Sequence, residues 1–198
     1  MAREDKQAFK QAGSYVRRKI NQLCSSQNNS AVKAALAKLR RGIGKIPGSM
    51  PELWDITMKD LPEELTGKDE TPSYGEWAVH TALTLFALHQ QGKDLKSQCM
   101  NKEGMTLGIA VRSLIKSDED ENRIKRRFDA AATSESMEEI SHHLRGLIQL
   151  MKAENITLDY PKLTEDLYRF QFPEARDSVR LKWGRDFFRL HTNLINNS

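Results

Sequence analysis

Residues Trp77–Gly92 form a run of 16 positions without a formal charge. Within the run, Trp77–Leu88 is apolar on nearly every side of a helix, so other elements must enclose it. The run is too short to span a bilayer, and its end, His89-Gln90-Gln91, is too polar. A helix of this kind belongs at the centre of a bundle. The rest of the chain can supply the wrapping: in 198 residues Leu (21) and Ala (16) far outnumber Val (5). Leu and Ala favour helices, whereas Val favours strands. The expected fold is all-α, a compact bundle of about eight helices, or two small helical lobes sharing a core.

Helical spacing recurs along the chain. Phe9, Ala12, Val16, Ile20 and Leu23 form one stripe. Ser30 is the expected cap of a second helix burying Val32, Leu36, Leu39 and Ile43, which Gly42, Gly44, Pro47 and Gly48 end. Residues 47–75 hold four of the six prolines and many acids. This long connection should contain short turns near Pro51–Trp54 and Pro62–Leu65. Leu107, Val111 and Leu114 mark the next helix. Asp118 with Glu121, and Ser136 with Glu139, are expected to open two more. These bury Ile124, Phe128 and Ala131, then Ile140, Leu144, Leu147 and Met151. Asp159 before Pro161 starts a helix with Leu163, Leu167 and Phe170. The last helix, from about Glu174 to Leu190, turns Val179, Trp183, Phe187 and Leu190 inward. The expected organisation is one domain, with an N-terminal lobe over about 1–116 and a C-terminal lobe over about 117–198.

Charge is uneven along this frame. Residues 1–45 carry 11 basic and 2 acidic side chains, a net of +9, while residues 46–79 carry 2 and 8, a net of −6. The whole chain is only +4. A basic end on a nearly neutral chain points to an anionic partner, and nucleic acid rewards positive charge without regard to sequence. Met1–Gln7 leads into no apolar run, so no signal peptide is expected. Cys24 and Cys99 lie 75 positions apart with no metal or redox spacing, which fits a reduced cytoplasmic setting.

Catalytic motifs are sparse in this chain. Gly42-Ile43-Gly44-Lys45 follows a helix and lacks the spacing of a phosphate loop. His142 and His143 are adjacent and diverge by about 100° on a helix. His80 and His89 fall on opposing faces of the central helix and are expected to be buried, hydrogen-bonded groups. Glu138, Glu139, Glu165 and Asp166 are expected on polar faces. No nucleophile–base pair or set of metal ligands converges, so neither catalysis nor a cofactor is expected.

Basic stripes are the stronger signal. Lys38, Arg41 and Lys45 share one face, flanked by Arg40. Arg112 and Lys116 share another. Arg123, Arg126 and Arg127 cluster around Lys125, with acids one turn earlier that can pair with part of the group. Lys182, Arg185 and Arg189 line the last helix, with Arg180 at its edge. Arginine suits phosphate through its planar fork. Trp77, Trp183, Phe187 and Phe188 read as core, so backbone contact should outweigh base stacking.

Several segments, in order, resemble the CasB family, small subunits of the type I-E CRISPR surveillance complex called Cascade. They begin with Ala34-Ala35-Leu36-Ala37-Lys38-Leu39-Arg40-Arg41-Gly42-Ile43-Gly44-Lys45 and Pro51-Glu52-Leu53-Trp54. They continue with the Ala78–Gln91 run, Leu107-Gly108-Ile109-Ala110-Val111-Arg112, Arg126-Arg127-Phe128 and His143-Leu144-Arg145-Gly146-Leu147-Ile148. Leu158-Asp159-Tyr160 and the Val179–Phe188 stretch complete the series. The resemblance implies an all-α, non-catalytic subunit of an antiviral ribonucleoprotein, present as a pair of copies. Its implied partners are other Cascade subunits, guide RNA and target DNA, with no membrane. It implies backbone contacts from Arg40, Arg41 and Lys45 first, then Arg112, Arg126, Arg127, Arg145, Arg180, Lys182 and Arg185. Arg145 and Arg180 also lie near apolar stripes, where pairing with buried carboxylates is expected. Two other functions fit parts of the pattern: a stand-alone helical DNA-binding regulator, which needs a helix-turn-helix pair, and a metal-dependent nuclease, which needs converging ligands.

Overall fold

Side-chain caps decide where four of the helices begin. The structure, a computed structural model, describes residues 7–195, with side chains through residue 189. Among the described residues there are nine α-helices, two short 3-10 turns and no strand beyond an isolated bridge between Asn101 and Leu158.

The first helix, α1 (Ala8–Ser25), buries Ala12, Val16 and Ile20 and packs Phe9 and Leu23 half-buried. α2 (Asn29–Arg41) is capped by Asn28, whose side-chain oxygen accepts from the Ala31 N–H at 3.0 Å. Ser30 therefore lies inside the helix rather than at its cap. Asn28 is held for the task because its own N–H donates to Ser26 Oγ at 3.2 Å. The connection that follows is ordered by two buried leucines, Leu53 and Leu65, each on a 3-10 turn. Between them lies one helical turn, α3 (Trp54–Thr57). Tyr15 Oη donates to the Lys59 carbonyl at 2.8 Å and Arg18 to that of Asp60 at 3.1 Å, tying the connection to α1.

α4 (Tyr74–His89) is the enclosed central helix, buried at every residue from Ala78 to His89. Ser73 and Glu76 form a full capping box at its start. α5 (Leu107–Arg112) and α6 (Asp118–Thr133) follow. No capping box opens α6: its cap is Ser117, whose side chain makes no bond to the helix backbone. With acids filling the first turn, Ser117 Oγ pairs with the Asp120 carboxylate at 3.3 Å instead. α7 (Met137–Ala153) is capped by Ser136 as expected, at 3.1 Å from the Glu139 N–H. α8 (Tyr160–Phe170) is capped by Asp159. α9 (Pro173–Ile195) buries Val179, Trp183 and Phe187, and the side chain of Leu190 lies outside the described residues.

The packing pairs elements from distant parts of the chain: α1 lies on α8, α5 on α9, and α4 on α1, α2, α7 and α8. One continuous apolar core runs from Ala8 to Phe187. Gly108 sets the closest approach, since a Cβ there would lie 2.3 Å from the Trp183 carbonyl oxygen. Asp166 corrects an expectation. It faces α9 rather than solvent and is 1% exposed, with the Trp183 indole N–H donating to it at 2.8 Å. No helix among the described residues is long and apolar enough to cross a membrane.

Candidate nucleic-acid interface

The C-terminal end of α2 gathers cations where the helix dipole favours them. Arg41 is already engaged: its Nε and Nη2 donate to the two oxygens of Glu52 at 3.1 and 2.8 Å. This bidentate brace holds the Pro51–Leu53 turn against α2. Lys38, Arg40 and Lys45 have no carboxylate partner among the described residues, and Lys38 and Lys45 are exposed. Gly44, at φ 72°, turns the chain so that Lys45 follows α2 directly. Arg40 lines a cleft of about 500 Å³ with Lys33, Leu36, Gln90, Gln91, Gly92 and Lys93. Lys33 and Lys93 were not singled out in the sequence. Lys33 stands seven positions before Arg40, two turns along the same face, and that spacing was the available signal. Lys93 comes from a turn after α4 and carries no periodic signal.

A second group sits where α6 and α7 pack. Arg123 pairs with Asp120 at 2.6 Å and Lys125 with Asp129 at 2.6 Å. Arg126 and Arg127 are exposed and without a carboxylate partner among the described residues. Arg127 reaches over α7: a Cβ on Gly146 would stand 3.7 Å from its Nη1. Arg145, next to Gly146, is also exposed and has no carboxylate partner among the described residues. The small residue leaves room for the Arg127 guanidinium over α7.

The α5–α9 side divides differently. Arg112 is held between Glu121, at 3.3 Å, and the face of Phe187, 5.7 Å from the ring centre. Lys182 pairs at 2.7 Å with Asp186, which also accepts from Thr106 Oγ1 at 2.8 Å. Arg180 donates to the carbonyls of Ala132, at 2.6 Å, and Ser134, at 3.3 Å, and so caps the end of α6. Its carboxylate partner, Asp177, is exposed, so neither Arg145 nor Arg180 pairs with a buried acid. Arg185 is exposed and unpaired among the described residues. Phe188 corrects another expectation: it is 55% exposed, because Phe187 takes the inward position one turn after Trp183. Leu181, on the same outer face, is 53% exposed.

The histidines do not form a centre. His80 Nε2 lies 2.8 Å from the Gly42 carbonyl, and His89 Nδ1 lies 3.0 Å from Tyr160 Oη. Burial pushes both imidazoles down, His89 to about 4, so both are neutral at pH 7. Among the described residues no cluster of three or more His, Cys, Asp or Glu side chains could hold a metal ion. What the surface offers is cationic fork and ammonium groups in three places, suited to phosphate oxygens.

Known proteins share this architecture. The family model of CRISPR-associated protein Cse2 matches residues 35–188, a span that includes Lys38, Arg40, Arg126, Arg145 and Arg185 but not Lys33. The crystal structure of CasB from Thermobifida fusca is similar, with 31% identity, a TM-score of 0.75, and coverage of 89% of this chain and 97% of that one. The crystal structure of M. ruber CasB shares the fold, with a TM-score of 0.69 at 21% identity over 93% of this chain and 98% of that one. No curated protein matches the chain significantly.

Proposed function

The chain belongs to the Cse2 family of CRISPR-associated proteins, also called CasB, and from that premise we propose that it is the small, non-catalytic subunit of a type I-E Cascade complex. In this reading a pair of copies works in the cytoplasm with other subunits, guide RNA and target DNA. The subunit grips sugar–phosphate backbone and steadies the DNA strand displaced by guide pairing. Sequence choice in such machines comes from base pairing, and protein contacts to backbone tip a nearly balanced strand exchange.

The observation that carries this reading is the division among the basic residues. Lys38, Arg40, Lys45, Arg126, Arg127, Arg145 and Arg185 are left without carboxylate partners among the described residues, while Arg41, Arg112, Arg180 and Lys182 brace the fold. Surplus cations at the surface, joined by the exposed ring of Phe188 three positions after Arg185, fit contact with phosphates more than with bases.

The test is binding of single-stranded DNA by the full chain at several salt concentrations. Backbone contact requires log K to fall linearly with log salt, by about 0.7 per phosphate neutralised. A flat plot would refute it. Co-purification with guide RNA and other surveillance-complex subunits tests the assembly. A chain that copurifies with none of them would remove the subunit reading.

A further inference from the structure

Cys24 and Cys99 are 75 positions apart in the chain, yet their sulfurs meet at 3.8 Å. Cys24 sits in the last turns of α1, and Cys99 in the segment between α4 and α5. Both are free thiols and both are half-buried, so a small reagent in solvent can reach them. The contact is held from each side. Gln90, 1% exposed, accepts from the Met100 N–H at 2.9 Å and donates to the Gln98 carbonyl at 3.0 Å, gripping the backbone immediately before and after Cys99. Two residues past Cys24, Ser26 accepts from the Asn28 N–H, and Asn28 caps α2.

The same two segments run into the lining of the basic cleft. α2 brings Lys33 and Arg40 to it, and the turn that opens the Cys99 segment brings Gln90 to Asp94. A covalent bond between the sulfurs would join these parts of the lining through a short path.

We propose that Cys24 and Cys99 are a dithiol that closes to a disulfide, fixing the cleft lined by Lys33, Arg40 and Lys93 in one geometry. The oxidant considered is a low-molecular-weight disulfide such as glutathione disulfide. The Cys99 thiolate attacks one sulfur of the oxidant, whose S–S bond breaks, and one glutathione thiolate leaves and is protonated. Cys24 then gives its proton to solvent and attacks Cys99 Sγ. The mixed disulfide breaks, and the second glutathione leaves. Two electrons pass from the protein thiols to the oxidant, and the balance closes. Burial pushes the Cys24 thiol up to about 12, so little of it is thiolate at neutral pH and the second, resolving step quickens as pH rises.

The experiment uses the full chain incubated with glutathione disulfide. The expected product is lighter by two hydrogens, and digestion yields a single peptide pair joining Cys24 to Cys99. Its melting temperature is raised, amide exchange is slowed across residues 90–101, and dithiothreitol reverses all three changes. Cys24→Ser and Cys99→Ser show none of them. A stable glutathione adduct on one cysteine, or no change in mass, overturns the disulfide, and this readout on the natural chain stands even if a variant fails to fold. A disulfide that forms without slowing exchange at residues 90–94 overturns the fixing of the cleft. The final arm, single-stranded DNA binding by oxidised and reduced protein, rests on the function proposed above. A shifted affinity supports control of the cleft, and equal affinities overturn it. Binding by neither form would defeat the nucleic-acid reading and leave the mass and exchange results to decide the disulfide.

Discussion

The carboxylate of Asp166 on α8 accepts the indole N–H of Trp183 on α9 at 2.8 Å, inside the core. Lys162 Nζ lies 3.3 Å from the other carboxylate oxygen, too obliquely for a hydrogen bond. Burial pushes the Asp166 carboxyl up against the opposing pull of Lys162. A carboxyl raised in the folded state stabilises the fold most below its ordinary value of 3.8, and that contribution fades as pH rises through the folded value. Replacing Asp166 with Ala strands the indole donor and should cost about 1–3 kcal/mol in urea unfolding. Asp166→Asn should cost less and should gain on the natural protein as pH rises from 4 toward neutrality. A constant gap across that range would contradict the buried, perturbed carboxyl.

The sign is reversed for His89. Burial lowers its imidazole from the ordinary 6.5 to about 4. A base depressed in this way contributes stability above pH 6.5, and the contribution is lost as pH falls toward 4. A shift of that size is worth about 3 kcal/mol across the window. His89→Gln should flatten the acid limb of stability against pH, leaving the slope due to the other titrating groups, His80 among them. An unchanged acid limb would show that His89 charges without penalty.

Gly108→Ala places a methyl group 2.3 Å from the Trp183 carbonyl oxygen and 2.8 Å from the Phe187 amide nitrogen. Both atoms are backbone, so α5 and α9 must separate. The expected loss is about 1–3 kcal/mol, with a lower melting temperature. Ala at Gly184, where nothing lies within 4 Å, is the control and should leave stability unchanged or slightly raised.

Arginines with and without internal partners should separate in two measurements. Arg180→Ala removes the donors that cap α6 and should lower stability by about 1–3 kcal/mol. Arg126→Glu with Arg127→Glu should leave the melting temperature nearly unchanged. The double change should weaken single-strand binding about tenfold at low salt and lower the salt slope by about 1.4. Equal losses of binding from Arg180→Ala and from the double variant would erase the distinction.

The fold was legible because apolar spacing is a local property. The stripes through Val16, Leu36, Phe86, Leu144 and Leu167 all fall in the core. Asp166 was misread because its burial depends on α9, which no spacing within α8 reveals. Ser30 lost the cap to Asn28 through a neighbouring side chain, Ser26, that prepares the turn. The basic residues were visible as a set, but their sorting was not. Glu52 captures Arg41 and the end of α6 captures Arg180 through tertiary contacts. Cys24 and Cys99 looked unrelated for the same reason.

Because α1 lies on α8, the timing of synthesis matters. α1 ends at Ser25 and α8 begins at Tyr160, 135 residues later. On the ribosome α4 can cover part of the first helix early, but the part of its apolar side that α8 covers must wait until most of the chain has emerged. Contacts so distant in sequence slow folding and lengthen the exposure of sticky surface. Expression of this chain should therefore respond to chaperone supply and to growth at lower temperature more than its modest size suggests.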